Sequence, residues 1–388
     1  MTPAARVQSS IDLLDTILSG VPTEQALTRW ARANRFAGSK DRAAIRDHVF
    51  AAIRCRRSFA ALGGSETGRG LMIGALRAGN ADVSAMFDGS NYGAGELSDE
   101  ENTTMTSIAT LDPEVRSDLP GWLWQRFKED LGEDAAATAE CLRHRADVFL
   151  RVNLIKSDID SAIDALAKGE ITAERHDLSN TALKVTKNAR RVSQSEAYRE
   201  GLIELQDAAS QAVCDFLALP TKGKVLDYCA GGGGKSLALA AKSDANIFAH
   251  DANYERMKDL PARAERAGAD ISILDIIDNN QQYDVVLCDV PCSGSGSWRR
   301  SPDGKWRLTP EDLDQVVETQ STILDSVVDL VGENGEIAYA TCSVLTCENQ
   351  GQIASFLDRH PSWKLVNDRQ FRPQDGADGF YIARLTRA

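Results

Sequence analysis

The sequence predicts an α/β protein: a doubly wound, mostly parallel sheet in its second half, preceded by a small α+β unit and an all-helical front. Three observations carry that expectation. From Leu205 onward, short apolar runs alternate with segments of helical periodicity. Before them, the period-2 stretch VFLRVNLIK interrupts a series of purely helical patterns. Four successive apolar runs then end on a carboxylate, at Asp227, Asp251, Asp275 and Asp289. Charge at those positions belongs at the edge where open α/β sheets bind ligands.

Residues 1–143 read as helices. VQSSIDLLDTIL repeats apolar residues at spacings of three and four. DRAAIRDHVFAAIRCRRSFAAL does the same and carries Arg42, Arg46, Arg54, Arg56 and Arg57. PGWLWQRFKEDLG has Pro at its start and Gly past its end, as helices prefer. Residues 144–205 form the α+β unit: VFLRVNLIK as a strand, SDIDSAIDALAKG as a helix, ITAERHDLSNTALKVT as strand-like material. Residues 206–388 carry the alternation. AASQAVCDFLAL, SLALAAKS, ERMKDLPARAERAG, ENQGQIASFLDRH and the long LDQVVETQSTILDSVVDLV, stopped by GENG, read as helices. KVLDYCA, NIFAHDA, DISILDI, YDVVLCDVPC, EIAYATCS and the tail DGFYIARLTRA read as strands.

A chain of 388 residues has room for two or three domains with real cores. It has no run of ~18 apolar residues, so no membrane span is expected, and its first residues lack the features of a signal peptide. The eight cysteines do not make a dense disulfide framework in a chain this long, which fits a reducing, cytoplasmic setting. The net charge of −13 excludes a uniformly basic surface but leaves room for a local basic face on nucleic acid.

CAGGGGKS, from Cys229 to Ser236, tests as a phosphate loop and fails. The Walker spacing would put its first glycine on Cys229, and G-x-G-x-x-G would need a glycine at Ser236. The four acids suit a nucleoside ligand better, because carboxylates accept hydrogen bonds from a ribose diol and an exocyclic amine. They also favour the sulfonium and ammonium of S-adenosylmethionine. Glycines 231–234 let backbone approach such a ligand closely.

Two cysteines sit just past strands, Cys292 in DVPCSGSG and Cys342 in ATCSVLTCEN. Both loops should open into one crevice. A nucleophilic cysteine needs a partly exposed, electropositive site, whereas Cys214 and Cys288 read as buried structural residues. The spacings lack histidine partners for zinc and contain no C-x-x-C redox pair, so no metal is expected.

DYCAGGGGKS, DVPCSGSGSWRRSPDGKWR and YATCSVLTCEN together resemble the signature segments of the Sun family of RNA cytosine-5 methyltransferases, and most closely its bacterial RsmB branch. The likeness is strong over 144–388. The helical front is more weakly similar to the NusB-like domain that begins that branch. The resemblance implies a Rossmann-like class I methyltransferase domain, S-adenosylmethionine as cofactor, and small-subunit ribosomal RNA as substrate. It implies that Cys342 is the nucleophile that adds to C6 of cytosine and that Cys292 assists product release. Asp289 would hold the N3 and amino edge of the base, and Lys235 would point into the base pocket. Cys229, Ala230, Gly231, Gly232, Gly233, Gly234, Lys235, Asp251, Asp275 and Asp289 would line the cofactor site. The family usually reads AAPGGKT where this chain reads AGGGGKS, a change expected to loosen the loop.

For RNA contacts, SWRRSPDGKWRL offers Arg299, Arg300, Lys305 and Arg307 with Trp298 and Trp306 interleaved. VFLRVNLIK offers Arg151 and Asn153. The bland alternative for the first stretch is a solvated loop anchored by its tryptophans. A monomer is the default. The rival functions are a phosphate-loop nucleotidase or kinase, which the broken Walker spacing disfavours, and a non-catalytic RNA-binding or assembly factor, which the intact cysteines, Lys235 and Asp289 disfavour.

Overall fold

The computed structural model describes residues 1–103 and 107–388. The chain packs as two compact units, one of Met1–Arg145 with Trp298–Leu308, the other of Ala146–Ser297 with Thr309–Ala388. The expected three consecutive segments are therefore drawn differently. Residues 146–205 share a unit with the sheet that follows them, and Trp298–Leu308 belongs to the helical unit.

The helical unit is built mainly from Pro3–Leu18, Thr23–Ala33, Ser39–Arg54, Arg56–Gly63, Gly68–Ala78, Gly121–Leu131 and Ala135–Arg143. Its core gathers the residues that recur at helical spacing, among them Val7, Ile11, Leu14, Ile45, Val49, Phe59 and Leu71. The Arg-bearing run folds as two helices that meet at Cys55. Gly132 closes Gly121–Leu131 at φ +56°, a conformation that penalises any side chain.

Trp298–Leu308 is fastened into this unit by its own polar groups. Trp298 is buried and stacks on Phe127 at 6.1 Å between ring centres. The Arg54 guanidinium donates to the carbonyl of Arg299, and the Lys305 ammonium donates to the carbonyl of Arg54, each at 2.7 Å. Trp306 donates to the carbonyl of Ile53, and Asp303 accepts from the backbone and hydroxyl of Thr23. Arg299 is 6% exposed and Lys305 fully buried. This departs from the expectation that both face RNA: the Arg299 side chain is buried, and the Lys305 ammonium is bonded to the Arg54 carbonyl. Arg300 and Arg307 are exposed.

In the second unit, residues 146–205 make a four-stranded antiparallel sheet. Its strands are β1 (Val148–Val152), β2 (Thr172–Arg175), β3 (Ala182–Lys187) and β4 (Ile203–Leu205), in the order β2-β3-β1-β4. Helix Ile159–Lys168 starts at Asp158, whose carboxylate accepts the Ser161 N–H, and buries Ala162 and Leu166 against Leu150, Leu183 and Ile203. Arg151 and Asn153 are 3% and 2% exposed. Arg151 donates to Gln206 and to the carbonyl of Gly234, and Asn153 donates to the carbonyls of Gly201 and Ala267. They too were expected on RNA; the structure spends their donors inside, since a buried guanidinium or amide must find acceptors.

The large sheet holds β5 (Lys224–Asp227), β6 (Asn246–His250), β7 (Ile271–Leu274), β8 (Tyr283–Asp289), β9 (Val331–Thr341), β10 (Trp363–Phe371) and β11 (Phe380–Arg387) in the order β10-β11-β9-β8-β5-β6-β7. Strands β5 to β9 run parallel, and β11 pairs antiparallel with both β9 and β10. Three local expectations change. β10 is an additional edge strand, buried only at Trp363 and Phe371, so it carries no apolar alternation. Pro261 begins helix Leu260–Ala267 instead of lying inside a longer one, because its missing N–H costs nothing at a first turn. GENG opens β9 rather than forming a separate stop.

Burial drives the Lys305 amine down from 10.5 to about 8, against the nearby charge of Asp118. The unfolded chain therefore binds a proton that the folded chain releases between about pH 8 and 10.5, so stability rises with pH across that window. The gain is on the order of 3 kcal/mol. In Lys305→Met this rise should be absent, as read by denaturant unfolding followed through tryptophan fluorescence at pH 7.5 and 10; parallel pH dependence in both proteins would refute it.

Candidate active site

The chain runs β5→β6→β7 toward one edge of the sheet, then returns to place β8 on the other side of β5. The crevice at the carboxyl ends of β5 and β8 is the topological switch point where open α/β sheets bind ligands. Asp227 and Asp289 are the last residues of β5 and β8, and Asp251 and Asp275 follow β6 and β7 by one residue. All four acids stand at one end of the sheet.

The glycine loop joins β5 to helix Gly234–Ala240. Gly231 and Gly233 sit at φ +52° and +76°. A Cβ on Gly233 would lie 2.2 Å from the Leu260 side chain, so glycine is required there on two counts. The loop is tied down at several points. Ala230 N–H donates to the His250 carbonyl at 2.8 Å, Gly231 N–H to Asp251 at 2.9 Å, and Arg263 to the Gly232 carbonyl. Asp251 also accepts from Asn253 N–H and Arg256. The loosening expected from four glycines is thus met by hydrogen bonds to two neighbouring segments, His250–Asp251 and the helix that carries Arg263. Cys229 and Ala230 are half-buried, Gly232 is exposed, and Asp275 is exposed.

Asp227 is fully buried. One oxygen accepts the Ser236 hydroxyl at 2.6 Å and the other has no partner. Burial, opposed by Ser236 and reinforced by Asp289, pushes its carboxyl up to about 7. Lys235 is buried too, and its ammonium lies 2.7 Å from Asp289 and over the Phe380 ring. Burial opposes its charge, but Asp289 with Cys214 and Asp227 outweighs that and holds it above its ordinary value. The donor set fits a cationic nucleoside. It combines an orphaned buried carboxylate oxygen, a backbone cradle without side chains at 231–234, and an exposed acid at Asp275.

Cys292 and Cys342 meet. Their sulfurs are 3.1 Å apart, both half-buried, on the loops after β8 and β9. A hydrogen bond from Cys292, helped by Lys235 and Ser297, holds the Cys342 thiol below its ordinary value despite burial and Asp289. The same contact, with burial and the charge of Glu348, raises the Cys292 thiol well above its own. The two thiols are thus shifted in opposite directions, and Cys342 is the one moved toward ionisation. Burial, with Asp227, Asp289 and Asp251, raises the Cys229 thiol, the opposite direction to Cys342. Among the described residues, no group of three or more His, Cys, Asp or Glu could hold a metal, and no helix is long and apolar enough to cross a membrane.

The sequence reading missed Glu348. It is fully buried and accepts from Ser293 N–H at 2.7 Å, from Gln320 at 3.1 Å, and from the hydroxyls of Ser293 and Ser343. An acid six residues after Cys342 gave no signal, because three of its four donors come from segments remote in sequence.

Residues 215–386 match the family described as 16S rRNA methyltransferase RsmB/F, and residues 119–193 match its ferredoxin-like domain. The chain is 32% identical over 284 residues to ribosomal RNA small subunit methyltransferase B of Photorhabdus laumondii, covering 69% of this chain and 66% of that protein. It thus spans just under two thirds of that relative's length. A protein designated PH0851 superposes with a TM-score of 0.77 at 21% identity, covering 100% of this chain and 99% of its own. A methyltransferase homolog protein from Pyrococcus horikoshii gives 0.64 at 23%, covering 73% and 100%. These two likenesses concern the fold, which is that of the class I methyltransferases.

Since the folded Asp227 holds a proton that the unfolded chain has lost above pH 3.8, stability should fall as pH rises from about 4 to 7, by a few kcal/mol. Asp227→Asn should flatten that slope and exceed the wild type in stability at pH 8. Unfolding curves at pH 5 and 8 read it directly, and an unchanged slope would show that Asp227 is already ionised.

Proposed function

The chain belongs to the RsmB/F methyltransferase family, and we propose that it transfers a methyl group to C5 of a cytosine in small-subunit ribosomal RNA. The observation that carries this reading is the pair of thiols 3.1 Å apart with opposite shifts, beside the Lys235–Asp289 ion pair.

The cofactor is S-adenosylmethionine, which when bound supplies an electrophilic methyl on its sulfonium. The glycine loop from Cys229 to Gly234, with Asp251 and Asp275, would hold it. Cytosine C5 is a poor carbon nucleophile. The Cys342 thiolate adds to C6, forming an S–C6 bond and moving the ring's electron pair toward C5. That addition gathers charge on the N3 side of the base. Asp289 holds the N3 and amino edge there, and Lys235, paired to Asp289, supplies positive charge beside it. After C5 is methylated a base takes its proton, the freed C–H electron pair restores the C5=C6 bond, the C6–S bond breaks, and Cys342 departs with that pair as thiolate. Cys292, 3.1 Å away and bearing a proton, assists that release. The target base must be unpaired or turned out of a helix to reach these half-buried thiols. Of the residues first assigned to RNA, Arg300 and Arg307 are exposed at the surface.

The reading is tested by trapping. Cys292→Ala incubated with small-subunit RNA and S-adenosylmethionine should accumulate a slow-migrating covalent RNA adduct on a denaturing gel. Cys342→Ala should give none and lose turnover by more than about a thousand-fold. Methylation retained by both variants without an adduct would overturn the two-thiol mechanism, and binding of the cofactor without methyl transfer to any RNA would favour a non-catalytic RNA-binding factor.

A further inference from the structure

We propose that Glu348 is the positioning residue of the thiol pair: its carboxylate ties the Cys292 and Cys342 loops into one frame, and its charge keeps the two thiols in unequal roles. The inference rests on the two-thiol reading above and deepens it.

The geometry is specific. Ser293 follows Cys292 and Ser343 follows Cys342, and both hydroxyls donate to the same Glu348 oxygen. The other oxygen takes the Ser293 backbone N–H and the Gln320 amide. One carboxylate therefore binds the residues next to both cysteines of the pair, which are 50 positions apart in the chain. Its own backbone is fixed as well, because the buried Tyr339 hydroxyl donates to the Glu348 carbonyl at 2.6 Å. A second set of contacts closes the same frame. Ser295 and Ser343 hydroxyls lie 2.8 Å apart, Val344 N–H donates to Ser295, and Gly296 N–H donates to the Cys342 carbonyl at 3.0 Å.

Glu348 pairs with no cation among the described residues, yet it is fully buried. A buried carboxylate is costly unless its lone pairs are filled, and four donors fill them. A protein with only packing to satisfy would do as well with an apolar residue there. What the charge adds is asymmetry. The bond between the thiols lowers Cys342, helped by Lys235 and Ser297 against burial and Asp289, whereas that bond and burial raise Cys292 with the Glu348 charge adding to them. Negative charge behind Cys292 disfavours its thiolate, so the proton of the pair stays on Cys292 and Cys342 is left to attack.

Two variants separate the tie from the charge. In Glu348→Gln the amide oxygen can keep the Ser293 N–H and Gln320 donors, while its NH2 donates to the two serine oxygens after their hydroxyls rotate. The frame survives and the charge is lost. In Ser293→Ala/Ser343→Ala the charge survives and the hydroxyl ties are lost. Each protein is alkylated with iodoacetamide across pH 6 to 10, and modification of each cysteine is followed by peptide mass. The wild type should react first at Cys342. Glu348→Gln should raise the Cys292 rate by about ten-fold at a fixed pH near neutrality and narrow the preference for Cys342. The double serine variant should form the Cys292–Cys342 disulfide several-fold more slowly with diamide. Unchanged alkylation profiles in Glu348→Gln, with unchanged cross-linking in the serine variant, would overturn this proposal alone. A wild type without preference for Cys342 would overturn both it and the two-thiol mechanism. None of these readouts needs the RNA substrate.

Discussion

The parallel pairing of β8 with β9 is the constraint on which the site depends. Asp289 stands opposite Ala340, and Val290 N–H reaches the Ala340 carbonyl at 3.0 Å. With that register, Cys292 and Cys342 leave the sheet at nearly the same height and on the same edge. A slip of one residue would turn every side chain of the strand to the opposite face and part the two loops. The register is itself fixed by the apolar residues on both faces of the strands. Val286, Cys288, Ile337 and Tyr339 pack on one side, and Val285, Leu287, Ala338 and Ala340 on the other. Core packing thus sets the sulfur–sulfur distance before any polar contact refines it.

Electrostatics then sorts chemically identical side chains. Burial raises Cys55 to about 12 and Cys214 to about 11, and it raises Cys288 as well. Among the described thiols with a shift, Cys342 alone is moved down. Burial by itself would push every one of them the same way. The difference is a hydrogen bond from a neighbouring thiol and an ammonium in reach. Lys235 keeps its proton in a buried place because Asp289 stands 2.7 Å away, so the acid that would hold a base edge also maintains the cation beside the nucleophile.

How much of this was legible in the sequence follows from the range of the interactions. The parallel sheet was legible because its strands are short apolar runs between helical patterns, and the acids at their ends stand out locally. β10 was not, since an edge strand exposed along most of its length shows no alternation. The convergence of the two cysteines was expected from loop positions, but their opposite shifts depend on the bond between them and on Lys235, Ser297 and Glu348, which no local spacing links. The RNA-facing residues were the weakest reading. Arg151, Asn153, Arg299 and Lys305 look like surface cations and amides in one dimension, and only tertiary packing shows that all four are buried.

The burial of Arg151 and Asn153 says what the small sheet does for the large one. Arg151 on β1 donates to the carbonyl of Gly234, the first residue of the helix that ends the glycine loop. Asn153 bridges Gly201 and Ala267, and Glu204 on β4 takes both Arg263 and Arg266 from helix Leu260–Ala267. Arg263 in turn donates to the Gly232 carbonyl. The glycine loop is therefore held from two sides by charged groups that are anchored in the small sheet. Four consecutive glycines carry a large entropic cost to order, and no side chain of their own to offset it. The neighbouring sheet supplies the hydrogen bonds that the loop sequence lacks, which is why a loop without the family's proline can still stand in a defined shape.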